Sequence, residues 1–249
     1  MRYFIKISYK GTNYHGWQYQ PNALTIQEEL EKVFSLLLKT EIKLTGAGRT
    51  DTGVHALNYI AHIDVNEQIA DVDKLILKAN SFLNEDIVIH DIYRVKEDVH
   101  SRFSPISRTY EYRSHFQKNP FLKDLSYYIY AVKFDFEKMN EAAKLLFEYS
   151  DFTSFSKLHT DTKTNNCKII RAEWIKREGQ MVFIIEADRF LRNMVRAITG
   201  TLLEVGKGKM DINAFRKVIE SKDRANAGVS VPAHGLFLTE IKYPDGIVF

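Results

Sequence analysis

From Arg2 to Tyr9 apolar and polar residues alternate with the period of two that predicts a strand. After a loop, Thr25 and Glu28 form a capping-box pair ahead of Ile26, Leu30, Val33, Phe34 and Leu37, which share one helical face. A short strand is expected over Glu41–Thr45, a longer one over Leu57–Val65 and another over Ile87–Val95. Between the last two, Asp71–Leu83 reads as a helix with Leu75, Ala79 and Phe82 turned inward. The order βαββαβ is the ferredoxin-like pattern.

The second half repeats that order less clearly. Strands are expected over Thr109–His115 and Tyr127–Val132, a helix over Asp135–Glu148, and strands over Lys168–Lys176 and Met181–Ala187. A helix then runs from Arg189 to Val205, a shorter one is capped by Asp211, and Leu236–Tyr243 closes the chain as a strand. No Pro/Gly/Ser-rich linker interrupts the middle, so the fold class is α+β: two fused lobes, 1–104 and 105–249, with a boundary near Ser104. Their sheets either pack or join into a largely antiparallel platform.

Composition narrows this picture only slightly. The 249 residues are 45% hydrophobic, ample for a packed interior, and 35 basic against 32 acidic residues leave a net charge of +3 that by itself announces no polyanion partner. The single cysteine, Cys167, excludes an internal disulfide and a multi-cysteine zinc site and reads as a small buried apolar residue. No apolar run approaches the ~18 residues of a membrane span, and the amino-terminal stretch already alternates like a strand, so a cytoplasmic location is expected. The eight histidines lack metal-ligand spacing, and His55 reads as loop structure.

The chemistry concentrates in GAGRTDTGVHA, Gly46 to Ala56, where three of the chain's 12 glycines surround an Arg-Thr-Asp triplet. Glycine permits close approach and positive φ, so the loop is shaped. An Arg-Thr-Asp triplet alone reads as a turn carboxylate. On a later strand Tyr110 and Tyr112 share a face and read alone as half-buried aromatics. Along the predicted Arg189–Val205 helix, Leu191, Val195, Ile198 and Leu202 form an apolar stripe while Arg189, Arg192 and Arg196 line another side. Lys207 and Lys209 in GKGK lack the spacing of a phosphate loop and suit a helix C-terminus.

Taken whole, the Gly46–Ala56 string resembles the signature of the tRNA pseudouridine synthase A (TruA) family of pseudouridine synthases. YKGTNYHGWQYQP (Tyr9–Pro21), FSPISRTYEYR (Phe103–Arg113), YSDFTSFSK (Tyr149–Lys157), FLRNMVRAITGTLLEVG (Phe190–Gly206) and PAHGLFL (Pro232–Leu238) are similar to further family blocks in the same order. The small departure, SVPA at Ser230–Ala233, touches no catalytic position.

The resemblance implies two ferredoxin-like, RRM-like halves forming a continuous sheet with a central catalytic cleft. It implies an isomerase that converts uridine to pseudouridine at positions 38, 39 and 40 of the tRNA anticodon stem-loop, as a homodimer, with no cofactor and no metal. Asp51 is then the catalytic carboxylate, acting either on ribose C1′ as nucleophile or on the C2′ proton. Tyr110 stacks on the detached uracil and its hydroxyl assists removal of the C5 proton. Arg196 is the ion-pair partner of Asp51, Arg49 helps to extrude the target nucleotide, Arg192 and Arg189 meet phosphate or solvent, and Leu236 contacts the uracil. Tyr112 is left to packing or support. Lys207, Lys209 and Arg224 join the candidates for phosphate contact.

Three other readings stand beside this one. Two RRM-like lobes can hold RNA without chemistry, although such a module has no use for a desolvated carboxylate. A glycosidase needs a second carboxylate ~5 to 9.5 Å from Asp51; no partner stands out in the sequence, and Asp64 stays open. A synthase of the same family can also act on other tRNA positions or on another RNA.

Overall fold

A computed structural model describes residues 1–130, 133–157 and 164–248. Among these the chain forms five α-helices and nine strands, paired mostly antiparallel, and divides into two compact units. The first comprises 1–106 with 238–249, the second 107–237.

The first unit begins with β1 (Arg2–Tyr9), whose Phe4, Ile5 and Ile7 are fully buried. In α1 (Ile26–Leu38) the Thr25 hydroxyl accepts a hydrogen bond from the Glu28 N–H, and Ile26, Leu30 and Phe34 face the core. Next come β2 (Thr45–Gly46), β3 (His55–Asp64), α2 (Val72–Phe82) and β4 (Ile87–Val95). Strand β1 pairs antiparallel with β3 on one side and β4 on the other, and β2 pairs with β3 through Thr45–His62 and Gly46–Ala61.

Two expectations for this unit are corrected. The stretch 41–44 is not a strand, because α1 side chains satisfy its backbone. Ser35 Oγ accepts from the Ile42 N–H at 2.9 Å, Glu31 accepts from the Leu44 N–H at 2.9 Å, and Gln27 donates to the Leu44 carbonyl at 3.1 Å. Phe82 points outward, 58% exposed; Leu75, Ala79 and Leu83 make the buried row at i, i+4 and i+8 instead.

The second unit holds β5 (Ser107–His115), β6 (Tyr127–Tyr128), α3 (Phe136–Lys144), β7 (Ile169–Arg177) and β8 (Gln180–Ala187). Helices α4 (Met194–Gly206) and α5 (Ile212–Ser221) follow. Strand β8 lies between β5 and β7, antiparallel to both, and β6 adds a short parallel pairing to β5. Of the strand expected over 127–132, residues 131–132 lie outside the described residues. The helix expected over 135–148 ends at Lys144 and continues as a 3₁₀ turn over Leu145–Glu148. Cys167 is buried, and that burial pushes its thiol up to about 12. Strand β9 (Leu236–Lys242) starts in this unit and, from Leu238, belongs to the first.

The expectation of one long helix from Arg189 is also corrected. Asn193 is left-handed, with φ 68°, and α4 starts after it. The residues before it are committed elsewhere: Asp188 Oδ1 accepts from the N–H groups of Lys168 and Arg189, each at 2.7 Å, and the Arg192 carbonyl accepts from the Lys157 N–H at 3.0 Å. Arg189, Leu191 and Arg192 therefore precede the helix, and only Arg196 of the three arginines lies on it. Of the residues of α4, all but Arg196 and Glu204 are buried. No helix among the described residues is long and apolar enough to cross a membrane.

Candidate active site

In the first unit the Gly46–Ala56 loop joins β2 to β3 and carries Asp51, partly exposed. The Asp51 carbonyl accepts from the Val54 N–H at 3.1 Å, closing a turn through Gly53, whose φ is 79°. Neighbouring side chains brace both arms. The Tyr59 hydroxyl donates a short hydrogen bond to the Gly48 carbonyl, and Tyr9 Oη and Thr50 Oγ1 are hydrogen bonded at 2.9 Å. Trp17 stacks on Tyr59 with centroids 4.1 Å apart. His55, buried, accepts the Gly11 N–H on Nδ1 at 3.0 Å and ties the loop's exit to the segment after β1.

Two glycines show how tightly this loop is held. A Cβ on Gly46 would sit 2.2 Å from the Tyr59 hydroxyl and 2.4 Å from Trp17 Nε1. Gly16, at φ 85°, leaves 2.2 Å between such a Cβ and the Thr50 carbonyl, one residue before Asp51. Gly16→Ala should therefore lower stability by about 1–2 kcal/mol for the left-handed backbone and about 1–3 kcal/mol more for the overlap. Chemical denaturation checks this; an unchanged midpoint would mean that the Thr50 backbone yields freely.

In the second unit Tyr110 lies on β5 opposite Ile185, with its ring edge-on to Phe190 at 5.2 Å and 89°. Arg196, in the first turn of α4, donates from Nε to the Val231 carbonyl at 2.8 Å, while its own carbonyl accepts the Val231 N–H at 3.2 Å. On the next carbonyl, that of Pro232, the fully buried Tyr112 hydroxyl donates at 2.9 Å. Desolvation raises the Tyr112 phenol far above its ordinary range, which keeps it a proton donor to that carbonyl. The segment 228–232 can lie so close because Gly200 and Gly228 lack side chains; a Cβ on Gly200 would meet the Val229 carbonyl at 1.9 Å. Leu236 follows, 6% exposed at the start of β9.

Of the predicted site residues, then, Asp51 and Arg49 belong to the first unit, and Tyr110, Arg192, Arg196 and Leu236 to the second. Arg49 and Arg192 are exposed. Arg189 donates to the Thr164 carbonyl at 3.3 Å, and Arg224 to Ser230 Oγ at 2.8 Å. Lys207 and Lys209 sit at 2.9 and 3.7 Å from Glu204 at the end of α4, as suits cations at a helix C-terminus.

Asp64 is excluded as a catalytic partner. It ends β3, whose first residue is His55, so a rise of ~3.3 Å per residue puts it about 30 Å along the strand, beyond glycosidase spacing. Both its oxygens accept from Arg2, each at 2.8 Å, and that fork holds its carboxyl below the usual range.

The sequence reading missed Tyr9, Thr50 and Tyr59 as supports of the Asp51 loop. Tyr9 opens the YKGTNYHGWQYQP block, but nothing in its spacing shows that a strand residue reaches the hydroxyl of residue 50.

A mixed α+β chain with a carboxylate on a braced glycine loop agrees with what comparison finds. A family described as tRNA pseudouridine synthase matches residues 5–104 and 142–244, segments that include Asp51, Arg49, Arg192, Arg196 and Leu236, with Tyr110 in the stretch between. The tRNA pseudouridine synthase A of Parabacteroides distasonis is 53% identical over 244 residues, covering 98% of this chain and 96% of that protein. That of Bacteroides fragilis is 53% identical over 247 residues, covering 99% and 98%. That of Clostridium acetobutylicum is 40% identical over 240 residues, covering 96% and 98%. The chain belongs to the tRNA pseudouridine synthase family.

Proposed function

We propose that this protein isomerises uridine to pseudouridine in tRNA, at positions 38, 39 and 40 of the anticodon stem-loop, acting in the cytoplasm as a homodimer without cofactor or metal. The observation that carries the reading is Asp51, on a loop braced by Tyr9, Tyr59 and Trp17 within the segment 5–104 that matches the family. The element order of the first unit, βαββαβ with β1 between β3 and β4, supports the ferredoxin-like description, and the pairing of β5, β8 and β7 supports it for the second.

The reaction breaks the uracil N1–ribose C1′ bond and forms C5–C1′; N1 gains a proton and C5 loses one. Asp51 serves at the ribose, by attack at C1′ or by removal of the C2′ proton. Either role needs a carboxylate held in place by its backbone, which the tyrosine bonds to Gly48 and Thr50 supply. Arg196 offers the counter-charge, with its Nε bond to Val231 fixing the direction of the guanidinium. Arg49 assists extrusion, Arg192 meets phosphate and Leu236 contacts the uracil. Tyr110 stacks on the freed base, its ring set by Phe190, and its hydroxyl takes part in removing the C5 proton.

Incubating the purified protein with unmodified tRNA and mapping pseudouridine tests the reading directly: product at 38–40 is expected, product elsewhere would move the specificity, and no product would overturn the activity. Within the same assay Tyr110→Phe should slow turnover by roughly 10²-fold, the scale of one acid–base group. Tyr110→Ala should cost more, because stacking goes as well. Equal losses would deny the hydroxyl a role.

A further inference from the structure

The first unit has a recess of about 160 Å³ beside the Asp51 loop, lined among others by Trp17, Gln18, Gln27, Gly48, Arg49 and Arg102. Two arginines and no carboxylate line it. Gln27 is already engaged with Glu31, the Leu44 carbonyl and the Tyr19 N–H, and the charged side chains of the lining are the two guanidiniums. A Cβ on Gly48 would meet nothing within 4 Å; this face of the loop is open.

Arg102 reaches the recess from a turn that is nailed down from beneath. Ser101, fully buried, donates from Oγ to the Thr45 carbonyl at 2.7 Å and is hydrogen bonded to His62 Nδ1, and its carbonyl accepts from Tyr243 at 2.6 Å. The turn closes on itself: Ser104 Oγ accepts the His100 N–H at 2.8 Å, and His100 Nδ1 accepts the Arg102 N–H at 3.0 Å. What this anchored turn presents to solvent is Arg102 with the ring of Phe103, 75% exposed, 5.5 Å beneath the Arg102 guanidinium carbon and 4.5 Å from the His100 ring. A lone exposed Phe is ordinary. One held on a rigid turn under an arginine, next to a cationic recess, has the form of a single-strand RNA contact, in which a cation takes phosphate and a ring takes a base.

We infer that Arg49 and Arg102 together seat a backbone phosphate of the RNA next to the target nucleotide, and that Phe103 offers a stacking face to a neighbouring base. The inference rests on the proposed activity for the identity of the RNA and extends it to a contact point on the enzyme. Planar guanidiniums suit phosphate through paired N–H donors, and the lining residues Gly48 and Arg49, two to three positions before Asp51, put the seat next to the loop that carries the carboxylate.

The test is binding of unmodified tRNA across a salt series, with unfolding midpoints measured alongside. Arg102→Gln should weaken binding and reduce the slope of log K against log[salt] by about 0.7 to 0.9, one phosphate's worth. Arg102→Lys should keep the slope, since the charge remains. Phe103→Ala should weaken binding about 5- to 150-fold with the slope unchanged, and Phe103→Tyr should restore it. Wild-type affinity and slope in Arg102→Gln, or equal slopes lost in the Gln and Lys variants, overturn the phosphate seat. Wild-type affinity in Phe103→Ala overturns the stacking face. If the unaltered protein forms no pseudouridine, the proposed activity fails, while a slope shift in Arg102→Gln still stands for the seat.

Discussion

Asp51→Asn should fold normally, bind tRNA with nearly unchanged affinity, and release no measurable tritium from tRNA labelled at uracil C5. The expected loss is on the order of 10⁴-fold or more, the upper end of what one acid–base side chain contributes, because an amide neither attacks C1′ nor accepts the C2′ proton. Folding is spared because the turn and its tyrosine braces act on the backbone and on Thr50. The turn bond from the Val54 N–H goes to the backbone carbonyl of residue 51, and the braces from Tyr9 and Tyr59 go to Thr50 and Gly48. Asparagine keeps all of these and has the same shape as aspartate. Tritium release near the wild-type rate would remove Asp51 from the chemistry; a collapse of tRNA affinity would instead make it a binding group.

What the sequence revealed of this arrangement depended on whether the signal was local. Strands β1 and β4 and the start of α1 were readable to the residue, since alternation and a Thr25–Glu28 cap are properties of neighbouring positions. Where a tertiary partner decides, the reading failed. Residues 41–44 looked like a strand because Ile42 and Leu44 alternate, and only the side chains of Glu31 and Ser35, reaching over from a helix, take their N–H groups out of sheet pairing. The segment 189–193 has helical spacing, yet Asp188 and a left-handed Asn193 hold it out of α4. The candidate site divides the same way. The glycines around Asp51 mark a shaped loop, while its catalytic role comes from the family resemblance; the supports of the loop lie elsewhere in the chain, and Gly16, where a Cβ would overlap the Thr50 carbonyl, sits in a different block of sequence. Roles such as those of Arg196 and Leu236 came from family resemblance, because a basic residue on a helix and a leucine entering a strand carry no chemical signal of their own.

The second large effect is expected at the two arginines, and the two should fail differently. Arg196→Met removes the counter-charge assigned to Asp51 together with the Nε bond to the Val231 carbonyl, which is then left without that donor beside a mostly buried helix. Loss of one preorganised charge partner costs ~10²–10³-fold in rate, and it should do so whatever the state of the tRNA, since the damage lies in the chemical step. Arg49 is exposed, on the open side of the loop, so Arg49→Met should leave stability and the chemical step unchanged, weaken tRNA binding by the phosphate contact it shares with Arg102, and slow the step in which the nucleotide leaves its stack. Unstacking and unpairing cost a few kcal/mol, and a substrate whose target uridine is already unpaired has most of that cost removed. Single-turnover rates on intact tRNA and on such a substrate make the comparison. Arg49→Met should recover part of its rate on the unpaired substrate and Arg196→Met should not. Recovery in both variants would place both arginines at extrusion; recovery in neither would place both at the chemistry, and either result would end the division of labour between them.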